Sequence, residues 1–552
     1  MSWFSLDVTR RSFLQAAAAG LVAPSLTFAR ARERLYNGIE LASPWPPRRL
    51  SLSTTAQRPP YENDRPDVID IDIGRQLFVD DFLIDRSSLY REFHQTSFHP
   101  NSPVLHPERQ WEIDDPFAKT TSQPPSPCAM VFSDGVFYDP DHREYRMWYM
   151  AGYQQHTALA VSSDGLTWHR PRFNVIPGTN IVTRHKRDSS TVWLDLDATD
   201  RSRRYRMASY DLGVKALQLF HSADGIHWTH SGASGQCGDR STIFRNPFRD
   251  RWVFSLRADE PNSLVRYRRY FETDRLDRAS WRDGEPVAWS AADTEDIQRR
   301  DLQTAPQIYN LDAVAYESVI LGLFGIYRGE KPDREKPNDI CVAFSRDGFH
   351  WSRLSRSAFI PVSERQGDWN WSNVQSAGGC CLIAGDELRF YVSGRAGIPG
   401  TSLPGVCSTG LAVLRRDGFA SVSDQWPVGV PRALPKTDGL VTRPVTFSGR
   451  HVFVNASGAG SLRVELLDRE GRVIEPFSAG NCNPVTGTAT KTMVTWKSAP
   501  SLESLANKPV RFRFVPSQMR LYSFWVSPSP SGFSRGYLAG GGPGIRRSAD
   551  LE

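Results

Sequence analysis

One seven-residue phrase recurs three times in this chain: Ser162-x-Asp164-Gly165-x-x-Trp168, Ser222-x-Asp224-Gly225-x-x-Trp228 and Ser345-x-Asp347-Gly348-x-x-Trp351. Two weaker copies extend the series. Thr273-Asp274 runs on to Trp281, and Arg416-Asp417-Gly418-Phe419 keeps the turn without the tryptophan. The tryptophans stand 60, 53 and 70 residues apart, and the last Asp-Gly follows its predecessor by 70. Self-similarity of this kind is the signature of a repeat architecture, here of five units.

Each unit carries the same body ahead of its phrase. Met130 to Asp139 then Tyr145 to Gly152, Ser190 to Asp195 then Tyr205 to Tyr210, and Ser241 to Asn246 then Trp252 to Arg257 are strand–turn–strand patterns. So are Ile308 to Glu317 with Val319 to Tyr327, and Gly378 to Ala384 with Leu388 to Ser393. They are rich in β-branched and aromatic residues and turn at Asp, Asn, Pro and Gly. A third strand then runs into the Asp-Gly turn. Sheets of three to four antiparallel strands with no long amphipathic helix between them predict a five-bladed β-propeller over residues 69–424. Within it the phrase has a mechanical role. Asp accepts from the following N–H groups, Gly takes a positive φ, and Trp packs across the blade boundary.

Beyond the repeats the pattern changes to short alternating strands between Val441 and Val526, which predict a β-sandwich over 432–527. Residues 32–68 read as a Pro/Arg-rich linker, and 528–552, with Gly540-Gly541-Gly542-Pro543-Gly544, as a flexible tail.

The first 31 residues read as a targeting segment. Arg10-Arg11-Ser12-Phe13-Leu14 precedes an apolar run, Ala16 to Leu26, too short to span a bilayer, and small residues at Thr27-Phe28-Ala29 and Ala29-Arg30-Ala31 offer cleavage sites. The pattern resembles a twin-arginine signal, which implies the twin-arginine export machinery as a partner and a periplasmic or secreted protein. No other stretch is long enough to cross a membrane. Lys and Arg number 67 against 61 Asp and Glu, a net +6 spread without a basic block, which argues against nucleic acid. The seven cysteines show no metal-type spacing, and His94 and His99 lack a carboxylate partner at ligand spacing, so neither a metal nor a cofactor is expected.

Gln76-Leu77-Phe78-Val79-Asp80-Asp81-Phe82-Leu83-Ile84, Gly238-Asp239-Arg240-Ser241-Thr242 and Asn310-Leu311-Asp312-Ala313-Val314-Ala315-Tyr316-Glu317-Ser318 carry a wider resemblance. On these motifs the chain resembles exported bacterial proteins described as invertase-like, related to the invertase, levansucrase and arabinanase group of glycoside hydrolases. The resemblance implies hydrolysis of poly- or oligosaccharides at a funnel on the propeller axis, with a non-catalytic carbohydrate-binding propeller as the alternative. Asn-Asp-Pro-Asn, Arg-Asp-Pro and Glu-Cys runs of that group are absent here, so its catalytic residues have no direct counterparts.

The innermost strand of each blade lines the axis, which brings carboxylates from different blades together. Glycosidases need two such groups, one protonated and one ionised. Asp239, Asp312 and Asp134 form the expected trio. Asp239 sits beside Arg240, which suits an ionised stabiliser or nucleophile, and Asp312, in an apolar stretch, suits the acid. Asp115, before the first blade, resembles the early position of the invertase nucleophile, and Glu317 is a rival acid that period-two alternation sets on the opposite face from Asp312. Arg240, Gln307 and Asn310 are expected to bind substrate. Trp369 and Trp371 are expected to stack on it from one side of a strand.

Overall fold

The computed structural model describes residues 32–48, 52, 55–114, 126–259, 265–302, 304–329, 331, 333–379, 381–430, 439–538 and 540–552. Asp115 and the twin-arginine segment lie outside the described residues, as does Cys380. Five separate sheets form the blades. Blade one pairs Ala129–Met130 and Val136–Asp139 with Glu144–Ala151, then His156–Ser162 and Ile181–Arg184. Blade two runs Arg187–Leu194, Tyr205–Asp211, Ala216–Ser222 and Thr229–Gln236, and blade three Thr242–Asn246, Arg251–Asp259, Arg266–Thr273 and Val287–Ser290. Blade four holds Gln307–Glu317, Val319–Tyr327 and Asn338–Ser345, and blade five Asn373–Ser376 with Leu382–Ala384, Glu387–Arg395 and Cys407–Arg415. The chain contains a five-bladed β-propeller.

The repeated phrase forms the same turn three times. In the first, Ser162 Oγ donates to Asp164 Oδ1 at 2.8 Å, and that oxygen accepts from Leu166 N and Thr167 N at 2.7 and 2.8 Å. Gly165 takes φ +73°, and a Cβ there would meet the Tyr391 hydroxyl at 2.5 Å. Its carbonyl accepts from Tyr391 on blade five. The Gly225 carbonyl likewise accepts from Trp148 Nε1 of blade one, and the Phe349 carbonyl from Trp289 Nε1 of blade three. Each turn is thus riveted to the neighbouring blade.

Electrostatics reinforces one of these seams. Asp139, on blade one, accepts from Arg204 Nη2 at 3.0 Å and from the Tyr205 hydroxyl of blade two. Burial pushes its carboxyl up, but Tyr205, Arg204 and His142 outweigh burial and hold it at about 2. A depressed folded value gives stability that is present above the ordinary carboxylate value of 3.8 and lost as the pH falls towards 2. The urea midpoint of the wild type should therefore drop between those limits, and Asp139→Asn should flatten that limb. An unchanged acid limb in the variant would rule the seam out as its source.

The C-terminal strands do not stand alone. Ala420–Ser423, Leu440–Thr442, His451–Leu467, Val485–Thr486, Ala489–Val494 and Arg511–Ser527 share one nine-stranded sheet with Gln76–Leu77, Ile84–Ser87 and Tyr90–Phe93. The two 17-residue strands, His451–Leu467 and Arg511–Ser527, pair along their length, with register shifts at Asn455/Ala456 and Gly458/Ser461 that kink the sheet. Its core includes Phe78, Phe82, Phe512, Phe514 and Phe524. Where a separate sandwich over 432–527 was expected, the sheet is built from segments near both ends of the sequence.

The lead-in and tail are likewise structured. Leu35, Ile39, Leu41 and Tyr61 are buried in that second core, so the described part of 32–68 is packed and not a loose linker. The tail adds Tyr537–Leu538 to the free edge of Gln307–Glu317, Leu538 opposite Tyr316. It then crosses the other blades. Ile383 N donates to the Gly541 carbonyl at 2.9 Å, Gly541 lies against Tyr138 and Leu196, and the Tyr537 ring meets Phe248 edge-on at 5.0 Å. A Cβ on Gly542 would run into the Ile383 carbonyl oxygen, so the glycine run is a close-packing requirement rather than slack. The tail thus packs against all five blades.

Candidate active site

Ionisable side chains from different blades gather away from the tail. In blade one the innermost strand is interrupted between Met130 and Val136, and the interruption carries Phe132, Ser133 and Asp134 to the axis. Asp134 is fully buried and gripped by Arg187 of blade two, at 2.5 Å to Oδ1 and 3.0 Å to Oδ2. Burial raises its carboxyl, with Arg187 opposing. Both oxygens are taken, Oδ2 also accepting Phe132 N. Asp134 braces two blades.

Asp312 stands differently. Its Oδ2 accepts from Ser133 Oγ at 2.8 Å, Ser376 Oγ at 2.5 Å and Asn310 Nδ2 at 3.1 Å, donors from blades one, five and four. Its Oδ1 is buried without a hydrogen-bond partner, as are Asn310 Oδ1 and Gln375 Oε1. The apolar stretch read from sequence is the backbone's neighbourhood only; the carboxyl itself lies among hydroxyls and amides.

Arg240 completes the centre. Its Nη1 donates to Ser133 Oγ at 3.0 Å, and its guanidinium lies 3.9 Å from the Phe132 ring. Ser133 and Arg240 both hold positive φ, +66° and +57°. Non-glycine strain at two touching residues is characteristic of functional sites. The turn at Arg240 also separates it from Asp239. Arg240 swings inwards, while Asp239 faces the rim, about two-fifths exposed, and pairs with Arg257 instead. The expected Asp239–Arg240 pair does not form.

Asp188 is the carboxylate that sequence reasoning passed over in favour of Asp239. Its Oδ1 accepts Ser189 N at 2.9 Å and Arg240 N at 3.3 Å, and its Oδ2 accepts Gln154 Nε2 at 3.3 Å. Burial and then the Asp239 charge push it up, with Arg240 opposing. On the far side Arg395 lies 5.2 Å from the Phe132 ring and pairs with Glu335 at 3.2 Å. Arg268 donates to the Arg240 and Ser255 carbonyls, and burial, then the charge of Arg240, bring it down to about 9. Glu335 comes from a loop and Arg395 from the end of a second strand, so no inner-strand alignment could find them.

The remaining expected residues are dispersed. Gln307 accepts Arg266 N at 3.0 Å through Oε1. Trp369 and Trp371 lie in a turn ahead of Asn373–Ser376, not on a strand, and do not share a face. Trp369 packs over Gly394 and Gly410 and meets Phe98 edge-on, whereas Trp371 lies beneath Arg334. Glu317 lies apart from this group, beside the tail, where it accepts Arg75 N at 3.1 Å and Ser534 Oγ at 2.6 Å. Among the described residues no group of three or more His, Cys, Asp or Glu could hold a metal ion, and no helix is long and apolar enough to cross a membrane.

Five blades around a polar axis define this molecule as a five-bladed β-propeller with ionisable groups gathered where the blades meet. No family model matches the chain and no curated protein matches it. Solved structures of similar arrangement include an N-acetylgalactosamine deacetylase from F. plautii in complex with blood group B trisaccharide, 14% identical, with a TM-score of 0.40 over 57% of this chain and 97% of that one. A thermostable family-43 glycoside hydrolase is 11% identical, TM-score 0.39, over 58% and 100%. An exo-beta-1,3-galactanase from Phanerochaete chrysosporium is 11% identical, TM-score 0.35, over 72% and 95%.

Proposed function

We propose that the axial funnel binds a carbohydrate and hydrolyses one of its glycosidic bonds. The observation that carries this reading is the set of buried polar atoms left without partners at the axis, donors on Arg240 and acceptors on Asp312, Asn310 and Gln375. Sugar hydroxyls donate and accept at once, so a polyol meets both kinds of atom, and unmet buried groups are otherwise costly.

The chemistry follows from two carboxyls. Asp188, whose proton affinity burial raises, serves as the acid that protonates the departing glycosidic oxygen. Asp312, with a free oxygen amid donors, serves as the base or nucleophile. As the bond between the anomeric carbon and the leaving oxygen breaks, water supplies the new oxygen, directly or after a glycosyl-enzyme step, and its proton goes to a carboxylate. Asp134 braces this arrangement through Arg187, and Asp239 with Arg257 forms the rim. Export through the twin-arginine machinery to the periplasm or beyond belongs to the same reading and rests on Arg10 and Arg11.

A second reading, carbohydrate binding without turnover, is favoured by one observation: Asp134 and Asp239 are each neutralised by an arginine. Reducing-sugar release from a panel of glycans, wild type against Asp312→Asn and Asp188→Asn, separates the two. Turnover abolished in the variants supports hydrolysis; retention of a glycan by the wild type with no release selects binding.

A further inference from the structure

We infer that the funnel takes a sugar bearing an oxyanion, a carboxylate or a sulfate ester, and that Arg240 is its receptor; this rests on the carbohydrate reading. Arg240 is 2% exposed, yet among the described residues no carboxylate lies within ion-pair distance of it. Its Nη1 is engaged with Ser133, and the atoms left over are Nε and Nη2. Those two N–H groups leave one edge of the guanidinium in parallel, the edge that grips both oxygens of a carboxylate.

The same edge is filled elsewhere in this protein. Arg346 holds buried Asp80 through Nε at 2.7 Å and Nη2 at 2.9 Å, and Arg299 holds Asp301 through Nε at 3.0 Å and Nη2 at 2.7 Å. Arg187 and Arg395, the other arginines of the cluster that meet acids, are matched to Asp134 and Glu335. Arg240 alone of these three presents an empty fork. Arg395 also lies against the Phe132 ring and keeps an unpartnered Nε, so a second cation stands near Arg240. Asp312 and Asp188 offset part of the charge of Arg240 without meeting its fork, and an incoming oxyanion supplies the missing bidentate partner. Ser133 meanwhile joins the fork to Asp312, tying anion recognition to the reacting centre.

Calorimetric titration with D-galacturonate, D-galactose 6-sulfate and D-galactose tests this, on wild type, Arg240→Met and Arg240→Lys. At least one acidic sugar should bind tenfold or more tightly than galactose, weaken with added salt, and lose that preference in both variants, since lysine keeps the charge but not the fork. Which acid binds identifies carboxylate or sulfate. Arg240→Lys keeps the charge that Asp312 and Asp188 feel, so it carries the comparison should Arg240→Met fail to fold. Equal binding of neutral and acidic sugars, or a preference that survives both substitutions, overturns the oxyanion inference and leaves the carbohydrate reading standing. Binding of no sugar at all overturns both.

Discussion

Arg75→Ala is expected to lower the stability of the protein by about 3–5 kcal/mol, the cost of leaving buried charges without their partner. Arg75 lies where the propeller meets the nine-stranded sheet. Its Nη1 donates to Asp417 Oδ2 and to the Thr490 carbonyl, each at 2.9 Å, its Nε lies 3.4 Å from Glu317, and its guanidinium lies 4.1 Å over Trp525. Burial pushes Asp417 up, but Arg75 and Arg416 together hold it at about 2. Without Arg75 two buried acids share one cation, Arg416. Urea unfolding followed by tryptophan fluorescence reads the loss, and restoring part of it with Asp417→Asn in the same chain would tie the effect to charge. A loss below about 1 kcal/mol, the range of an exposed pair, would show the junction to be held by packing instead.

Asp312→Asn should reduce kcat by about 10²–10⁴, the usual contribution of a positioned acid or base, with little change in sugar affinity. Asparagine preserves the size of the group but not the free anionic oxygen, so the defect belongs to the chemical step. Asp188→Asn should act through pH. A raised folded pKa keeps Asp188 protonated and competent below that value, and competence fades as the pH rises through it. The wild-type rate should therefore fall on the alkaline side, and the variant should lose that limb along with most of its rate. A variant retaining the alkaline limb would remove Asp188 from the acid role.

The propeller was legible in sequence because its rivets are local. Ser162, Asp164 and Gly165 satisfy one another within a single turn, so the phrase survives as a phrase. Inner-strand alignment also put Asp312 and Asn310 on the innermost strand of blade four, where both meet Ser376 of blade five. It failed at Asp239, because a positive φ at Arg240 redirects two neighbouring side chains and nothing in the letters marks it. Glu335 and Arg395 come to the axis from a loop and a strand end. The tail and lead-in were missed for a related reason: a glycine run pressed against Ile383 looks the same, letter by letter, as a glycine run in solvent.

Two of the blades are finished by strands from remote parts of the polypeptide. Ser97–Phe98 edges blade five, more than 300 residues further on, and Tyr537–Leu538 edges blade four, more than 200 residues back. During synthesis blade four must therefore wait with an open strand edge, an aggregation hazard, until Tyr537 and Leu538 have left the ribosome. Loop closure over such spans also slows assembly. A nonsense codon just ahead of Tyr537 would then act as a lesion of the whole ring, not as the loss of a dispensable segment.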